Sequence, residues 1–520
     1  MSPRRANFLI FLSVLSIALL TLAAFLPNLA ALWTSDDYVL VHGIYGTPVR
    51  SFIQALSRTT DGNLTPHRAL TYWFIGRGGS AGPAAAHALA LALHFTNTCI
   101  FGALVWRLFR SPTLAFLASA WFCVAPWISQ PVIWWSSVCT IASTICLLTA
   151  AHFFLSSFCP TERARRFGWI FLAWIAAFIG LLLYDLWLAG FLLFVGVALL
   201  AAKEWRERIV SLCLMAIPFL IWFGLVAALG PQGNQAERVG ITLERVFVVF
   251  TTIHLRVANW LVGPDWGALW KMGVEALADP VEAITFFLGI GLLIVVLVQI
   301  ALTGDEGGEP AKESQQSRPL ADAFPWDVLL FSWLMFLASR LVIILAGGVA
   351  LHSRLNYGAA MAVALGGAAL AQWTWRRWCY PYKLVRWLAV VIAGMSIVAM
   401  TLANIGRSQH MAHSSSAERY TIDFVDRRLK ENPNVRSVTV LGTPVPDIGE
   451  LSYFSEADGM WLQYVLRRLG NNQRVRVVRS DNLPAIRSSD LSLMWSGAWP
   501  EARLEEVGSV PSLAEATQAF

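Results

Sequence analysis

The chain has 520 residues, of which 56% are hydrophobic and only 14% charged, with mean hydropathy +0.56. So much apolar surface excludes an ordinary soluble domain and defines a polytopic α-helical membrane protein. The net charge of +6 sits mostly in short basic clusters between apolar runs, which is a topology signal and not the footprint of a nucleic-acid partner.

A bilayer core needs roughly 20 apolar residues per helix. On that measure spans are predicted at 8–29, 84–106, 113–128, 132–155, 167–184, 186–202, 209–229, 281–302, 327–347, 357–373 and 384–404, about eleven helices in all. The first run follows Arg4 and Arg5 and is too long for a cleaved leader, so it reads as an uncleaved span. Arg107 and Arg110, Arg163 to Arg166, Lys203 to Arg208, and Arg376 to Lys383 fall on one side of this alternation. By the positive-inside rule that side is the cytoplasm, with the N-terminus in and the C-terminus out. The polar linker 304–319 falls on the same side and reads as a disordered loop. Ile241–Val262 is apolar but carries Glu244, Arg245, His254 and Arg256, which makes it an amphipathic helix in the outer interface.

Two domains follow. Residues 1–404 form the transmembrane domain, with an outer loop at 30–83 and an outer interfacial segment at 230–280, and residues 405–520 form a small extracytoplasmic α/β domain. Within the tail, helices are predicted near Ala417–Glu431 and Asp458–Leu469, with strands near Ser437–Leu441, Arg474–Val478 and Leu491–Trp495. The seven cysteines show neither metal-ligand spacing nor a disulfide framework, and they read as small apolar residues.

The residues able to carry chemistry gather on the outer side. Asp36 and Asp37 lie just past the first span. Adjacent residues on a helix project about 100° apart, so the two carboxylates take different tasks, one a general base and the other a holder of the loop, an arginine or a metal. The outer loop also carries Asp61, His67 and Arg68 and is longer than a membrane hairpin needs, which marks a functional loop. His87, His94 and Asn97 share the second span. Seven residues bring the two histidines to within about 20° of each other. Hydrogen bonding between helices is the simpler role for His94 and Asn97, while His87 is near enough to the outer end to reach Asp36. Asp185 sits in a tight outer hairpin (LLLYDLWLAG). His352, Arg354 and Tyr357 sit in a late outer loop, where an arginine has bidentate reach to phosphate.

Four stretches then resemble the GT-C superfamily of membrane glycosyltransferases, the class that includes protein O-mannosyltransferases. They are WTSDDYVL at 33–40, the loop from Asp61 to His67–Arg68, HALALALHFTNTCIFGALVWRLF at 87–109, and VAPWISQPVIWWSS at 124–137. The resemblance spans roughly residues 8–200, with an echo at 353–360. It departs from the family at Leu355–Asn356, which separate an Arg and a Tyr that relatives place side by side, and in its lack of tetratricopeptide repeats. It implies a polyprenyl-phosphate sugar donor, the first outer-loop Asp (Asp36) as the base for an acceptor hydroxyl with Asp37 as its catalytic neighbour, and inversion at the anomeric carbon. Arg68, His87, Arg354 and Tyr357 would bind the donor phosphate, with Asp185 a second acidic group. It leaves open whether a divalent cation (Mg2+ or Mn2+) is held by Asp37 and Asp185, and whether the acceptor is protein, glycan or lipid. The expected location is the inner (plasma) membrane, multi-pass. A transporter is the main rival, although no internal repeat relates the two halves. A polysaccharide polymerase or ligase and a non-catalytic assembly protein are further alternatives.

Overall fold

The computed structural model describes residues 3–33, 37, 59–60, 63–64, 82–159, 163–183, 190–202, 204–229, 266–303, 324–345, 357–375, 377, 382–435, 437–442, 444–445, 462, 466, 474–478, 491–497 and 499–506. The amphipathic stretch 241–262 and the linker 304–319 lie outside them.

Helix α1 (Pro3–Phe25) passes into a 3-10 turn, Leu26–Ala30. A two-stranded hairpin, β1 (Thr59–Thr60) and β2 (Asn63–Leu64), follows in the loop after it. Next come α2 (Gly82–Phe109) and α3 (Pro112–Cys123). Between them Arg110 takes a positive φ of 54°, and the Ser111 hydroxyl caps α3 by accepting from Leu114 N. The predicted spans 113–128 and 132–155 need correction here. Helix α3 stops at Cys123, and the chain then runs through short 3-10 turns at Pro126–Ile128 and Trp135–Ser137 around α4 (Ser129–Ile133). Pro126 and Pro131 lack the N–H that a continuous helix needs. The bundle continues with α5 (Val138–Ser156), α6 (Arg163–Leu183), α7 (Phe191–Ala201), α8 (Trp205–Leu229), α9 (Trp266–Ala276), α10 (Pro280–Thr303), α11 (Trp326–Leu345) and α12 (Tyr357–Thr374).

Among the described residues, seven helices are long and apolar enough to cross a membrane. Three apolar helices, Pro112–Cys123, Phe191–Ala201 and Trp326–Ser339, are shorter. At 1.5 Å per residue α3 covers only about 18 Å, less than a bilayer core, so helix length alone does not give eleven crossings. Phe11, Phe171, Leu220, Phe287 and Leu388 point outward from the bundle, the perimeter that acyl chains cover.

The last helix, α13 (Lys383–Glu431), is 49 residues long and unbroken. The 404/405 domain boundary therefore falls inside a helix. Its first part packs on α1 and α10, and its far end packs on the C-terminal sheet. That sheet has strands β3 (Ser437–Leu441), β4 (Arg474–Val478), β5 (Leu491–Ser496) and β6 (Arg503–Glu506) in the order β4-β3-β5-β6. The first three neighbours are parallel and β6 is antiparallel.

Candidate active site

At the sheet end of the bundle the chain leaving α1 is held from three directions. The Asn28 amide nitrogen donates to His87 Nδ1 at 3.0 Å, so His87 accepts at Nδ1 and carries its proton on Nε2. The Trp33 ring centre stands 6.5 Å from the same imidazole. On the other side, Leu32 N–H donates to Ser415 Oγ at 3.0 Å and Ser408 Oγ donates to the Ala24 carbonyl at 3.0 Å. Both serines belong to α13. Four residues beyond Trp33, Asp37 is wholly buried.

A second polar group lies deeper. His94 Nε2 faces the Cys123 carbonyl at 3.1 Å, which can only accept, so Nε2 carries the proton. Nδ1 is then the acceptor, and Tyr357 O–H donates to it at 2.6 Å. Asn97 Nδ2 donates to the Tyr357 oxygen at 3.1 Å. The rings of Phe25, Phe122 and Tyr357 surround this imidazole edge-on. Hydrogen bonding between helices, the simpler role for His94 and Asn97, is what the structure contains. Tyr357 is the first residue of α12 and fully buried, so these bonds fix where α12 begins, three residues after Arg354. Tyr357→Phe removes the donor to His94 and the acceptor for Asn97, at a cost of about 1–3 kcal/mol. The expected result is a melting midpoint several degrees lower, read by tryptophan fluorescence.

Of the residues singled out from sequence, Asp37, His87 and Tyr357 are described. Asp36, Arg68, Asp185 and Arg354 lie outside the described residues, as do Asp61, His67 and His352. Asp37 and His87 are both buried, His87 against the chain leaving α1, whereas Tyr357 joins the deeper group. No cluster of three metal-ligating side chains occurs among the described residues, and Asp185 lies outside them.

Sequence reasoning missed the polar face of α13. Thr401, Asn404, Ser408, Ser415 and Glu418 are fully buried. Asn404 Nδ2 donates to the Val124 carbonyl at 2.7 Å. Arg407 Nη1 donates to the Pro126 carbonyl at 2.7 Å and to Ser129 Oγ at 2.9 Å. These donors satisfy carbonyls freed where α3 ends. Their spacing of three and four residues is a helical signal in a stretch where polarity had suggested the start of a soluble tail.

These features define a multi-helix membrane protein whose α/β unit closes over one end of the bundle. No family profile and no curated protein matches the sequence. Among solved structures, the chain is similar to crystal structures of ArnT from Cupriavidus metallidurans. The undecaprenyl phosphate complex is 15% identical, with 93% of this chain and 92% of that chain covered at a TM-score of 0.34. The apo form is 13% identical, with 94% and 93% covered at a TM-score of 0.38. Superpositions this loose transfer neither a residue nor a mechanism.

Proposed function

We propose that this protein is a membrane glycosyltransferase. It moves a sugar from a polyprenyl-phosphate-linked donor to an acceptor hydroxyl at the extracytoplasmic membrane face. The observation that carries this reading is the fully buried Asp37, a few residues beyond a chain segment pinned by His87 and Ser415. A solvated boundary charge needs no such surroundings.

In the proposed reaction Asp36 or Asp37 accepts the acceptor's hydroxyl proton. The oxygen bonds to the anomeric carbon from the face opposite the phosphate, and the bond from that carbon to the phosphate oxygen breaks, inverting the centre. Polyprenyl phosphate departs with the bonding pair. Its negative charge calls for a preorganised cation, the role given to Arg354 and Arg68. His87 acts by holding Asn28 and hence the exit of α1. Tyr357 acts by fixing the start of α12, and Asp185 is the second acidic group on the same side. A lipid-tethered donor suits a site at the mouth of an apolar bundle, because its tail stays in the bilayer while its headgroup reaches the carboxylates.

The test is to incubate purified protein in nanodiscs with a panel of radiolabelled polyprenyl-phosphate sugars and cell-envelope extract. Free polyprenyl phosphate and a labelled product are expected in equal amounts. A donor panel left wholly intact contradicts the proposal.

A further inference from the structure

The C-terminal sheet has the layout of a ligand-binding sheet. The chain enters at β3 in the middle, moves to β4 on one side, then returns past β3 to β5 on the other. Such a reversal opens a crevice outside the carboxyl ends of the strands on either side of it, here β3 and β5. Both strands turn away sharply through glycines in the left-handed region, Gly442 at φ 76° and Gly497 at φ 82°, a conformation that costs a side chain dearly. Trp499 N–H donates to the Pro444 carbonyl at 2.9 Å, tying the two loops together across that mouth.

The carboxyl ends of β3 and β5 face the membrane bundle. Near the far end of α13, the Arg428 guanidinium lies 3.9 Å from Glu506, whose register partner is Leu493. Earlier on the same helix, the Tyr420 ring sits 5.5 Å from Trp495, nearer the carboxyl end of β5. Earlier still, Ser415 holds Leu32 at the exit of α1. Travelling along β5 toward its carboxyl end is thus travelling down α13 toward the bundle. One continuous apolar cluster joins Trp33, Ala86 and Trp135 of the bundle to Ala417, Leu493 and Trp495 of the domain.

The same edge presents aromatic faces. Tyr420, Trp495 and Trp499 form a triangle with ring centres 5.5, 6.1 and 6.3 Å apart. Trp495 is buried as its floor, while Tyr420 and Trp499 are half-exposed. The weakly positive C–H face of a pyranose ring fits the negative face of an indole or phenol, and its hydroxyls stay free to point elsewhere.

We infer that this mouth is a carbohydrate subsite, with a pyranose of the acceptor stacked on Trp499 and bordered by the Tyr420 ring, which stands at 66° to the indole. The glycan's reactive hydroxyl then points toward the segment bearing Asp37, a direction that rests on the glycosyl-transfer reading; the binding itself does not. The domain is in this view the acceptor wall of the site.

Saturation-transfer NMR on the full-length protein in lipid nanodiscs, free of maltoside detergent, tests the subsite with maltotetraose, cellotetraose and chitotetraose as probes. Saturation of the ring C–H protons of at least one probe is expected. Trp499→Leu, which keeps the apolar volume but loses the aromatic face, should weaken it about fivefold, and Trp499→Phe should retain it. No saturation of any probe, or saturation unchanged in Trp499→Leu, overturns the subsite. A protein that binds a probe through Trp499 but releases no polyprenyl phosphate from any donor counts against glycosyl transfer alone.

Discussion

Asp37→Asn is expected to lower sugar transfer by at least about 100-fold, the lower bound of what a positioned general base contributes. The substitution keeps the shape of a side chain that is wholly buried and removes only its capacity to take a proton. A lost rate at an unchanged melting midpoint separates chemistry from stability. Asp36→Asn belongs beside it. The two neighbours cannot face the acceptor equally, and the larger loss identifies the base. Full activity in both variants removes the catalytic assignment.

The second large effect is structural. Gly406→Val is expected to destabilise the protein by about 3 kcal/mol or more and to release α9 from α13. The two helices cross with backbone against backbone. A Cβ on Gly406 would run into the Leu269 carbonyl, and one on Gly273 into the Leu402 carbonyl. The pairs Leu269 with Gly273 and Leu402 with Gly406 thus form a reciprocal small-residue crossing, at a separation only glycine permits. Neither carbonyl can move without unwinding its own helix turn. Gly267→Val in the same α9 is the control, because nothing lies within 4 Å of its Cβ position. Release of α9 also frees the Trp270 indole N–H from the Ala399 carbonyl, now at 3.0 Å. A red-shifted tryptophan emission in Gly406→Val, absent in Gly267→Val, is the expected readout, and equal spectra contradict it.

Much of the bundle was legible because apolar runs of membrane length leave little choice but helix. The strand at Ser437–Leu441 also emerges where alternation predicted it, but β6, reading only Arg-Leu-Glu-Glu, is too short and polar to announce itself. Three failures have one cause, that pairing between distant segments leaves no local trace. Asn28 finds His87 across 59 residues, Tyr357 finds His94 across 263, and Leu32 finds Ser415 across 383. The boundary at 404/405 misread α13 for the same reason. Asn404, Arg407 and Ser408 look like the start of an aqueous tail, yet their polarity serves carbonyls left open at the ends of other helices. Asp36–Asp37 stood out because two charges directly after an apolar run need no partner to be noticed. For Tyr357, position in a late outer loop suggested phosphate, and nothing local revealed that its hydroxyl is taken up by His94 and Asn97.

The rival to group transfer is passage of a substrate through the bundle, and one measurement separates them. Sealed proteoliposomes carrying the protein are given a polyprenyl-phosphate sugar labelled in both sugar and lipid, with acceptor extract outside. Glycosyl transfer predicts that the labels part, sugar joining a covalent product while polyprenyl phosphate stays in the membrane, and that Asp37→Asn stops this. Label gathering inside the vesicles with sugar and lipid still joined, and no covalent product in any leaflet, would contradict it.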